Sequence, residues 1–212
     1  MSSKEPTVFV VDDDPAVRDA LRLLIRSVQL EVEVFASAHD FLRAIDGERA
    51  GCLVLDIRMP GMSGLELQER LAEEGVGLPV IMITGHGDVP MAVRALKTGA
   101  FDFIEKPFND QVLLDCVKRA LELDAKRRQE QYSRAQLRHK LAQLTPRERQ
   151  VLDMVVQGKS NKVMAAELGV SQKTIEAHRA KVMEKTQARS LSELMRMILT
   201  EGGEDGSGLA SA

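Results

Sequence analysis

The stretch that decides the fold is Gly51-Cys52-Leu53-Val54-Leu55-Asp56. A short apolar run bounded by turns is typical of a strand buried on both faces, as in a parallel sheet covered by helices. The run stops at one carboxylate, that of Asp56, and residues 57–61 follow as a loop. Ligands of open α/β sheets bind at the carboxyl ends of such strands. Asp56 therefore either faces a functional crevice or, as a lone acid, simply caps the strand.

Similar patterns surround this stretch and predict an α/β fold. Apolar or alternating runs predict further strands at 7–11, 31–35, 79–83 and 101–104. Apolar residues at helical spacing predict helices at 16–26, 38–45, 65–74, 89–98 and from 110 onward. Five alternations of strand and helix imply a five-stranded, doubly wound parallel sheet. In the strand order 2-1-3-4-5, the first and third strands flank the point where the connections reverse direction.

Polar side chains follow four of the predicted strands, each at the carboxyl end. They are Asp12 and Asp13 after the first, Asp56 after the third, Thr84 after the fourth and Lys106 after the fifth. Three carboxylates crowded together would repel one another, and Mg²⁺ (or Mn²⁺) with oxygen ligands relieves such repulsion. An acid, a metal, a lysine and a hydroxyl group together describe phosphoryl transfer onto a carboxylate. Each residue alone also fits a cap or a surface charge.

Composition favours a cytoplasmic globular protein. The chain of 212 residues is 44% hydrophobic and 29% charged, which is ordinary for a soluble globular protein. It has no apolar run of about eighteen residues and no hydrophobic leader at its start, so we expect no membrane span and no export. Cys52 and Cys116 lie in apolar surroundings without metal-ligand spacing, which predicts buried reduced thiols.

Charge is divided unevenly along the chain. Residues 1–124 hold 13 Lys and Arg against 22 Asp and Glu, a net charge of −9, whereas residues 125–212 hold 16 against 10, a net charge of +6. An acidic half joined to a basic half indicates two domains, one of which meets a polyanion. A modest basic excess is also common on an ordinary solvated surface. The charge asymmetry therefore supports DNA binding only together with other features.

The two halves are joined by a stretch of helical character. Residues 111–144 contain no Gly or Pro, and their middle is polar and highly charged. We read a helix that continues from the first domain into a solvated helical linker, with a coiled-coil dimer arm as the alternative. The predicted domains are 6–122 and 143–201, with the linker at 123–142 and a disordered Gly/Ser-rich tail at 202–212.

The second half reads as a small all-α domain of four helices. Thr145, Pro146 and Glu148 form a helix start with a capping box, and that helix stops at Gly158. Helices at 160–168 and 172–185 follow, separated by a Gly-Val-Ser turn, and a fourth starts near 190. A short helix, a turn and a helix with exposed basic residues form a helix-turn-helix. Many small helical domains contain such turns, so the topology alone leaves DNA binding undecided.

The first half resembles the response-regulator receiver domain, whose sheet is flavodoxin-like. The residues that carry the resemblance are Val11-Asp12-Asp13, Asp56-Ile57-Arg58-Met59-Pro60-Gly61, Thr84-Gly85-His86 and Phe103-Ile104-Glu105-Lys106-Pro107-Phe108. The resemblance implies that Asp56 is the phosphoacceptor and that Lys106 contacts the phosphoryl oxygens. It implies Mg²⁺ binding by Asp13, Asp56 and the backbone carbonyl of Arg58, with Asp12 acting through water. It also implies a switch pair, Thr84 and Phe103, and a dimerising face around Val93, Arg94, Lys97 and Phe103.

The second half resembles the LuxR-type DNA-binding domain. The marks are Asn161-Lys162 and Val170-Ser171, followed by Thr174-Ile175-Glu176 and His178. Basic groups neutralise phosphates, and Thr, Glu, His and Arg side chains read base edges. The candidate DNA contacts, in a motif of about 161–180, are Asn161, Lys162, Lys173, Thr174, Glu176, Ala177, His178, Arg179, Ala180 and Lys181. The resemblance also implies dimerisation on DNA through Leu191, Leu194 and Met195, although core packing explains part of that stripe.

The two domains in this order resemble the FixJ/NarL class of transcriptional regulators, and residues 89–95 favour its FixJ-like subgroup. The resemblance implies a two-component response regulator that a sensor histidine kinase phosphorylates on Asp56. Phosphorylation would promote homodimerisation and binding to double-stranded promoter DNA, and activation of transcription is the expected outcome. Contact with RNA polymerase is left open. We expect no turnover of an external substrate. The alternatives are an Mg²⁺-dependent phosphatase using an aspartyl-phosphate and a DNA-binding regulator independent of phosphorylation.

Overall fold

The computed structural model describes residues 5–47, 49–85 and 89–202. The chain divides into two compact units, Met1–Arg128 and Gln129–Ala212. The parts of the predicted motifs that fall on residues 86–88, including His86, lie outside the described residues. The same holds for the predicted tail beyond Gly202.

The first unit is a five-stranded parallel sheet with helices between the strands. The strands are β1 (Thr7–Val11), β2 (Glu31–Phe35), β3 (Gly51–Asp56), β4 (Val80–Thr84) and β5 (Asp102–Glu105). The helices are α1 (Pro15–Ser27), α2 (Ala38–Ala44), α3 (Gly64–Glu73), α4 (Val89–Lys97) and α5 (Asp110–Ala142), the last of which continues past the end of this unit. The strand order is β2-β1-β3-β4-β5, which confirms the predicted doubly wound sheet.

The central strands are buried on both faces, which explains why β3 reads as an unbroken apolar run. Every residue of β1 and β3 is buried. Successive side chains point to opposite faces, so Phe9 and Leu53 belong to one apolar cluster while Val8 and Cys52 belong to another on the other face. Cys52 and Cys116 are both buried free thiols, as predicted.

The register of the strands brings the polar strand ends together. Val11 pairs with Leu55, so Asp12 and Asp56 follow neighbouring positions on adjacent strands. Further along, Asp56 pairs with Ile83 of β4, and Thr84 pairs with Glu105 of β5. The four predicted strand-end positions therefore share one edge of the sheet.

A glycine makes the approach of β1 to β3 feasible. Gly51, the first residue of β3, has φ +151°, a conformation that side-chain-bearing residues rarely adopt. A Cβ atom at this position would lie 1.8 Å from the backbone oxygen of Thr7. Only glycine fits without moving one of the two central strands.

Helix α5 ties its middle turns back to the sheet. The buried Asp124 carboxylate accepts a hydrogen bond from the Gly51 amide at 2.9 Å. The guanidinium of Arg128 donates to Asp124 at 2.8 Å and also to the backbone oxygen of Arg49. These contacts account for a first unit that ends at Arg128, six residues beyond the predicted boundary at 122. The predicted linker, 123–142, is helical throughout, and its coiled-coil alternative stays a prediction.

The second unit has the four predicted helices. They are α6 (Pro146–Val156), α7 (Asn161–Leu168), α8 (Gln172–Thr186) and α9 (Leu191–Gly202). Thr145 and Glu148 form the predicted capping box, and Ser160 and Ser171 cap α7 and α8. Gly169 ends α7 with a left-handed φ of +67°, so the turn before α8 is the one the sequence predicts. In the described parts of both units, no helix is long and apolar enough to cross a membrane.

Candidate functional site

One ammonium group joins two buried carboxylates at the carboxyl edge of the sheet. Lys106 Nζ lies 2.8 Å from Asp12 Oδ2 and 2.8 Å from Asp56 Oδ1. Asp12 and Asp56 are 1% and 6% exposed, so their charges are almost removed from bulk water. A charge this deeply buried is tolerated only when it is paired and hydrogen-bonded. Lys106 therefore relieves the like-charge repulsion that the sequence predicted at this edge.

The remaining carboxylate oxygens are held by backbone amides. The Arg58 amide donates to Asp56 Oδ2 at 2.7 Å, and the Asp14 amide donates to Asp12 Oδ1 at 2.9 Å. The guanidinium of Arg18 bonds the backbone oxygen of Asp12 at 2.7 Å. These bonds fix both carboxylates before any reaction partner arrives.

The electrostatics of Asp56 and Lys106 reflect burial and mutual contact. Burial raises the pKa of Asp56, the charge of Asp12 raises it further, and the contacts with Lys106 and the Arg58 amide oppose the rise. Burial alone would lower the pKa of Lys106, but its hydrogen bonds to Asp12 and Asp56 outweigh burial, and the pKa lies above its ordinary value. Lys106 therefore stays protonated at neutral pH and remains available to bind an anion.

The predicted metal ligands fit Mg²⁺ by chemistry. Asp12, Asp13 and Asp56 offer only carboxylate oxygens, the donors that Mg²⁺ prefers. In the residues that the structure describes, no three acidic, histidine or cysteine side chains converge on one metal position. Asp13 is exposed, whereas Asp12 and Asp56 both lie against Lys106. The donor set is thus present, with two of its three members held by an ammonium group.

Thr84 carries a buried hydroxyl group without a partner. The residue is 1% exposed. Among the described residues, the buried side-chain polar atoms that lack a hydrogen bond are Thr84 Oγ1 and Gln68 Oε1. Its backbone oxygen accepts from the Lys106 amide at 2.7 Å, so the two residues adjoin. An unpaired buried hydroxyl costs free energy. Such a group is available to bond an oxygen atom that enters the site.

The predicted switch and dimer residues lie on neighbouring elements. Phe103, on β5, is half-buried and packs against the apolar cluster that contains Phe9 and Leu53. On α4, Val93 is 45% exposed, Lys97 is exposed and Arg94 pairs with Glu69 of α3 at 2.8 Å. Leu96 is also 50% exposed and was not predicted, although its place three residues after Val93 on a helix is a signal for a shared face.

In the second unit, the predicted DNA contacts spread over α7 and α8. Of the ten, six are exposed: Lys162, Lys173, Glu176, Ala177, Ala180 and Lys181. Four are half-buried: Asn161, Thr174, His178 and Arg179. The Thr174 hydroxyl lies 2.9 Å from that of the cap Ser171. The exposed members give α8 a polar outer face with two lysines, as a helix that enters DNA requires.

Two predicted roles conflict with the positions of the side chains. Arg179 lies on the inward stripe of α8, between the buried Ile175 and Val182, and its guanidinium binds Asn161 Oδ1 at 2.7 Å. Leu194, predicted to dimerise, is 1% exposed and packs in the core with Leu152, so a second copy cannot reach it. Leu191, at 42% exposed, and the half-buried Met195 remain accessible.

The sequence did not reveal an ion pair in the second unit between a buried carboxylate and a half-buried lysine. Lys185 Nζ lies 2.6 Å from Glu148 Oε2 and 3.2 Å from the backbone oxygen of Gln143. The same Glu148 carboxylate accepts from the Thr145 amide at 2.8 Å. The pair joins the start of α6 to the end of α8. The capping box identified Glu148, but nothing in the spacing identified Lys185 as its partner.

Comparison with known families supports both halves of this description. Residues 8–118 match the model of the response regulator receiver domain. Residues 142–198 match the model of bacterial regulatory proteins of the luxR family. The two matches lie in separate units of the structure and include both candidate sites.

Similar proteins share nearly the whole chain. Nodulation protein W of Bradyrhizobium diazoefficiens is 49% identical over 201 residues, which cover 95% of this chain and 88% of that protein. Transcriptional regulatory protein FixJ of Azorhizobium caulinodans is 47% identical over 195 residues and 92% of each chain. Among solved structures, response regulator StyR is 49% identical with a TM-score of 0.84, over 92% of this chain and 98% of that one. The N-terminal structure of FixJ is 47% identical with a TM-score of 0.54, over 56% and 95%.

Proposed function

The chain belongs to the response regulators in which a receiver domain precedes a LuxR-type DNA-binding domain, and we propose that phosphorylation of Asp56 controls its binding to promoter DNA. Regulation of transcription is the task of this family. The proposal adds the residue that carries the signal and the way in which the signal reaches the DNA-binding domain. The observation that supports it most is the position of Asp56, Lys106 and Thr84 at one edge of the sheet, where Lys106 contacts Asp56 and the Thr84 hydroxyl is buried without a partner.

The chemistry is an attack of a carboxylate oxygen on phosphorus. Asp56 supplies the nucleophile, and a sensor histidine kinase supplies a phosphohistidine whose phosphorus–nitrogen bond breaks as the acyl phosphate forms. The nitrogen leaves with the bonding electron pair and takes up a proton. Lys106 is placed to bind a phosphoryl oxygen, since its ammonium group already lies 2.8 Å from the nucleophile.

A bound Mg²⁺ would be held by Asp12, Asp13 and Asp56, with the backbone carbonyl of Arg58. It would neutralise negative charge on the transferring group, which three carboxylates would otherwise repel. Asp12 and Asp56 are held in place by the Asp14 and Arg58 amides. The chain's own contribution is thus a rigid set of oxygen donors and one cation.

The switch follows from the buried hydroxyl of Thr84. An acyl phosphate on Asp56 brings acceptor oxygens to the neighbouring strand end, and the Thr84 hydroxyl gains its missing hydrogen bond. Movement of Thr84 towards Asp56 changes the space next to Phe103 and shifts the face of α4. We propose that Val93, Arg94 and Lys97 then meet a second copy, with Leu96 in the same surface. The accessible Leu191 and Met195 would bring two DNA-binding units together on DNA.

The consequence is a phosphorylation-dependent activator of transcription in the cytoplasm. Lys162 and the exposed face of α8 would contact promoter DNA, and the bound dimer would act on RNA polymerase. The phosphoryl group ends on Asp56 of the protein itself, so we propose that the protein turns over no external substrate.

Acetyl phosphate with Mg²⁺ provides a direct test of the acceptor. We expect the wild-type chain to gain one phosphoryl group, removable by hydroxylamine, and to shift towards a dimer in size-exclusion chromatography. Asp56→Asn should do neither, whereas Asp110→Asn, at an exposed carboxylate at the start of α5, should behave as wild type. Equal labelling of Asp56→Asn would refute the assignment.

A further inference from the structure

Helix α8, the second helix of the helix-turn-helix, carries an arginine on its inward stripe, away from its exposed side chains. Arg179 lies four residues after the buried Ile175 and three before the buried Val182, so it shares their inward stripe. Glu176, Ala177 and Ala180, by contrast, are exposed. Arg179 is half-buried, and its place on the inward stripe separates it from these outer-face positions.

The surroundings of Arg179 support this orientation. It lines an apolar groove together with Val151 and Val155 of α6 and Val182 of its own helix. The aliphatic part of an arginine packs readily against apolar surface while its charged end reaches a polar partner. Here that partner is Asn161, the first residue of α7, with 2.7 Å between Arg179 Nη1 and Asn161 Oδ1.

The contact also determines which part of the Asn161 amide is left to bind another group. A guanidinium group only donates hydrogen bonds, so it must bind the amide oxygen. The Nδ2 group, with its two donors, takes no part in this contact, and in the described part of the chain no residue accepts from it. An amide NH₂ group is a suitable donor for a DNA phosphate oxygen and offers nothing to a cation.

We infer that Arg179 is a positioning residue of the DNA interface: it binds the oxygen of Asn161 and so presents the Asn161 amide hydrogens to a phosphate of the DNA backbone. Arg179 itself makes no phosphate contact. The inference depends on the proposed role of α7 and α8 in binding DNA, and it assigns different tasks to two residues that the sequence grouped together as contacts.

Salt dependence separates a positioning arginine from a contacting one. Each phosphate neutralised by a cationic side chain adds about 0.9 to the slope of log affinity against log salt. Lys173 is the matched control, because it is exposed on the same helix and also carries one positive charge. Affinity would be measured with the full-length chain and a duplex that the wild-type chain selects from a random pool, with and without acetyl phosphate.

We expect Arg179→Met to weaken binding on the order of fivefold, the effect of about one net hydrogen bond, with the salt slope unchanged. Lys173→Met should lower the slope by about 0.9. Asn161→Ala, which leaves the apolar groove intact, should weaken binding as much as Arg179→Met, and the double variant should be no weaker than Arg179→Met alone. Thermal unfolding by circular dichroism checks that each variant is folded.

Three results would overturn the inference. The first is a salt slope that falls in Arg179→Met as it does in Lys173→Met. The second is a double variant whose loss of affinity is the product of the two single losses. The third is an Asn161→Ala variant that binds the duplex as tightly as wild type. The affinity of each variant is compared with that of wild type in the same phosphorylation state. The comparison therefore holds even if phosphorylation proves not to control DNA binding. Conversely, a wild-type chain that selects no duplex would contradict DNA binding itself and this inference with it.

Discussion

The ammonium nitrogen of Lys106 lies 2.8 Å from Asp56 Oδ1, so a cation directly contacts the carboxylate proposed to be phosphorylated. The same nitrogen also holds Asp12 at 2.8 Å. Lys106 therefore has two tasks: it stabilises the resting site, and it is already in place for an incoming phosphoryl group.

Removing this cation should destabilise the first unit. Lys106→Met leaves Asp12 and Asp56 buried and without their shared partner, and we expect a loss on the order of 2 kcal/mol in the free energy of unfolding. Hydrogen exchange of the β1 and β3 amides, measured at increasing urea concentrations, gives the free energy of unfolding of this unit. Asp12→Asn in the Lys106→Met background should recover part of the loss, because it removes one of the two repelling charges. Lys118→Met, at an exposed position on α5, is the control and should change little.

The Thr84 hydroxyl should matter for signalling more than for stability. Thr84→Val replaces an unpaired buried hydroxyl by a methyl group, so we expect unfolding free energy to stay the same or rise by up to about 1 kcal/mol. Dimerisation in response to acetyl phosphate should be lost, while Thr84→Ser should retain it. If Thr84→Val were strongly destabilised yet still switched, the hydroxyl would have a structural role instead.

The ion pair of Glu148 and Lys185 predicts a pH-dependent stability of the second unit. The hydrogen bond from Lys185 and that from the Thr145 amide lower the pKa of Glu148. A carboxyl group whose pKa is lower in the folded state contributes stability above its ordinary pKa of about 4.5, and that contribution disappears as the pH falls through the lowered value. Glu148→Gln should therefore cost on the order of 1 kcal/mol at pH 7, and its difference from wild type should vanish in acid.

Hydrogen exchange of α6 and α8 amides between pH 7 and acid would measure this effect. Glu167→Gln is the control, because Glu167 pairs with Lys159 at a far more exposed position. A Glu148→Gln penalty that stayed constant over the whole range would show that packing, and not the charge, accounts for the loss.

Gly51 should be intolerant of any side chain. Gly51→Ala places a methyl group 1.8 Å from the Thr7 oxygen and demands a φ of +151°, so we expect a loss of about 3 kcal/mol or more. Gly77→Ala, where a Cβ atom meets nothing within 4 Å, should be nearly neutral. Thermal unfolding of both variants tests whether the close approach of β1 and β3 is as the structure places it.

The sheet was predictable because its signals are local. Strand β3 reads as a buried apolar run, and Asp12, Asp56, Thr84 and Lys106 each follow a strand end. Parallel pairing then brings those positions to one edge without further information. The helix starts at Asp14 and Thr145 were equally visible, since capping depends on residues that adjoin in sequence.

The individual bonds between distant side chains were not predictable, because they depend on tertiary packing. Lys106 is 94 residues from Asp12 and the sequence assigned the relief of carboxylate repulsion to a metal alone, whereas the ammonium group supplies part of it. Arg179 was grouped with the candidate DNA contacts because arginine side chains can read base edges. The helical repeat of α8 places Arg179 on the same stripe as the buried Ile175 and Val182. The spacing therefore predicted the orientation of Arg179 better than its residue type did. Leu194 was assigned to an interface because the family resemblance implied dimerisation through this helix, and apolar spacing alone does not distinguish a core stripe from a contact surface.

The most direct test of the central proposal is the affinity of the full-length chain for its selected duplex with and without acetyl phosphate and Mg²⁺, measured by fluorescence anisotropy on wild type and Asp56→Asn. We predict that phosphorylation tightens wild-type binding about tenfold or more, within the usual range of coupling between sites, and leaves Asp56→Asn unchanged. Equal affinity of fully phosphorylated and unmodified wild type, or an equal response of Asp56→Asn, would contradict the account.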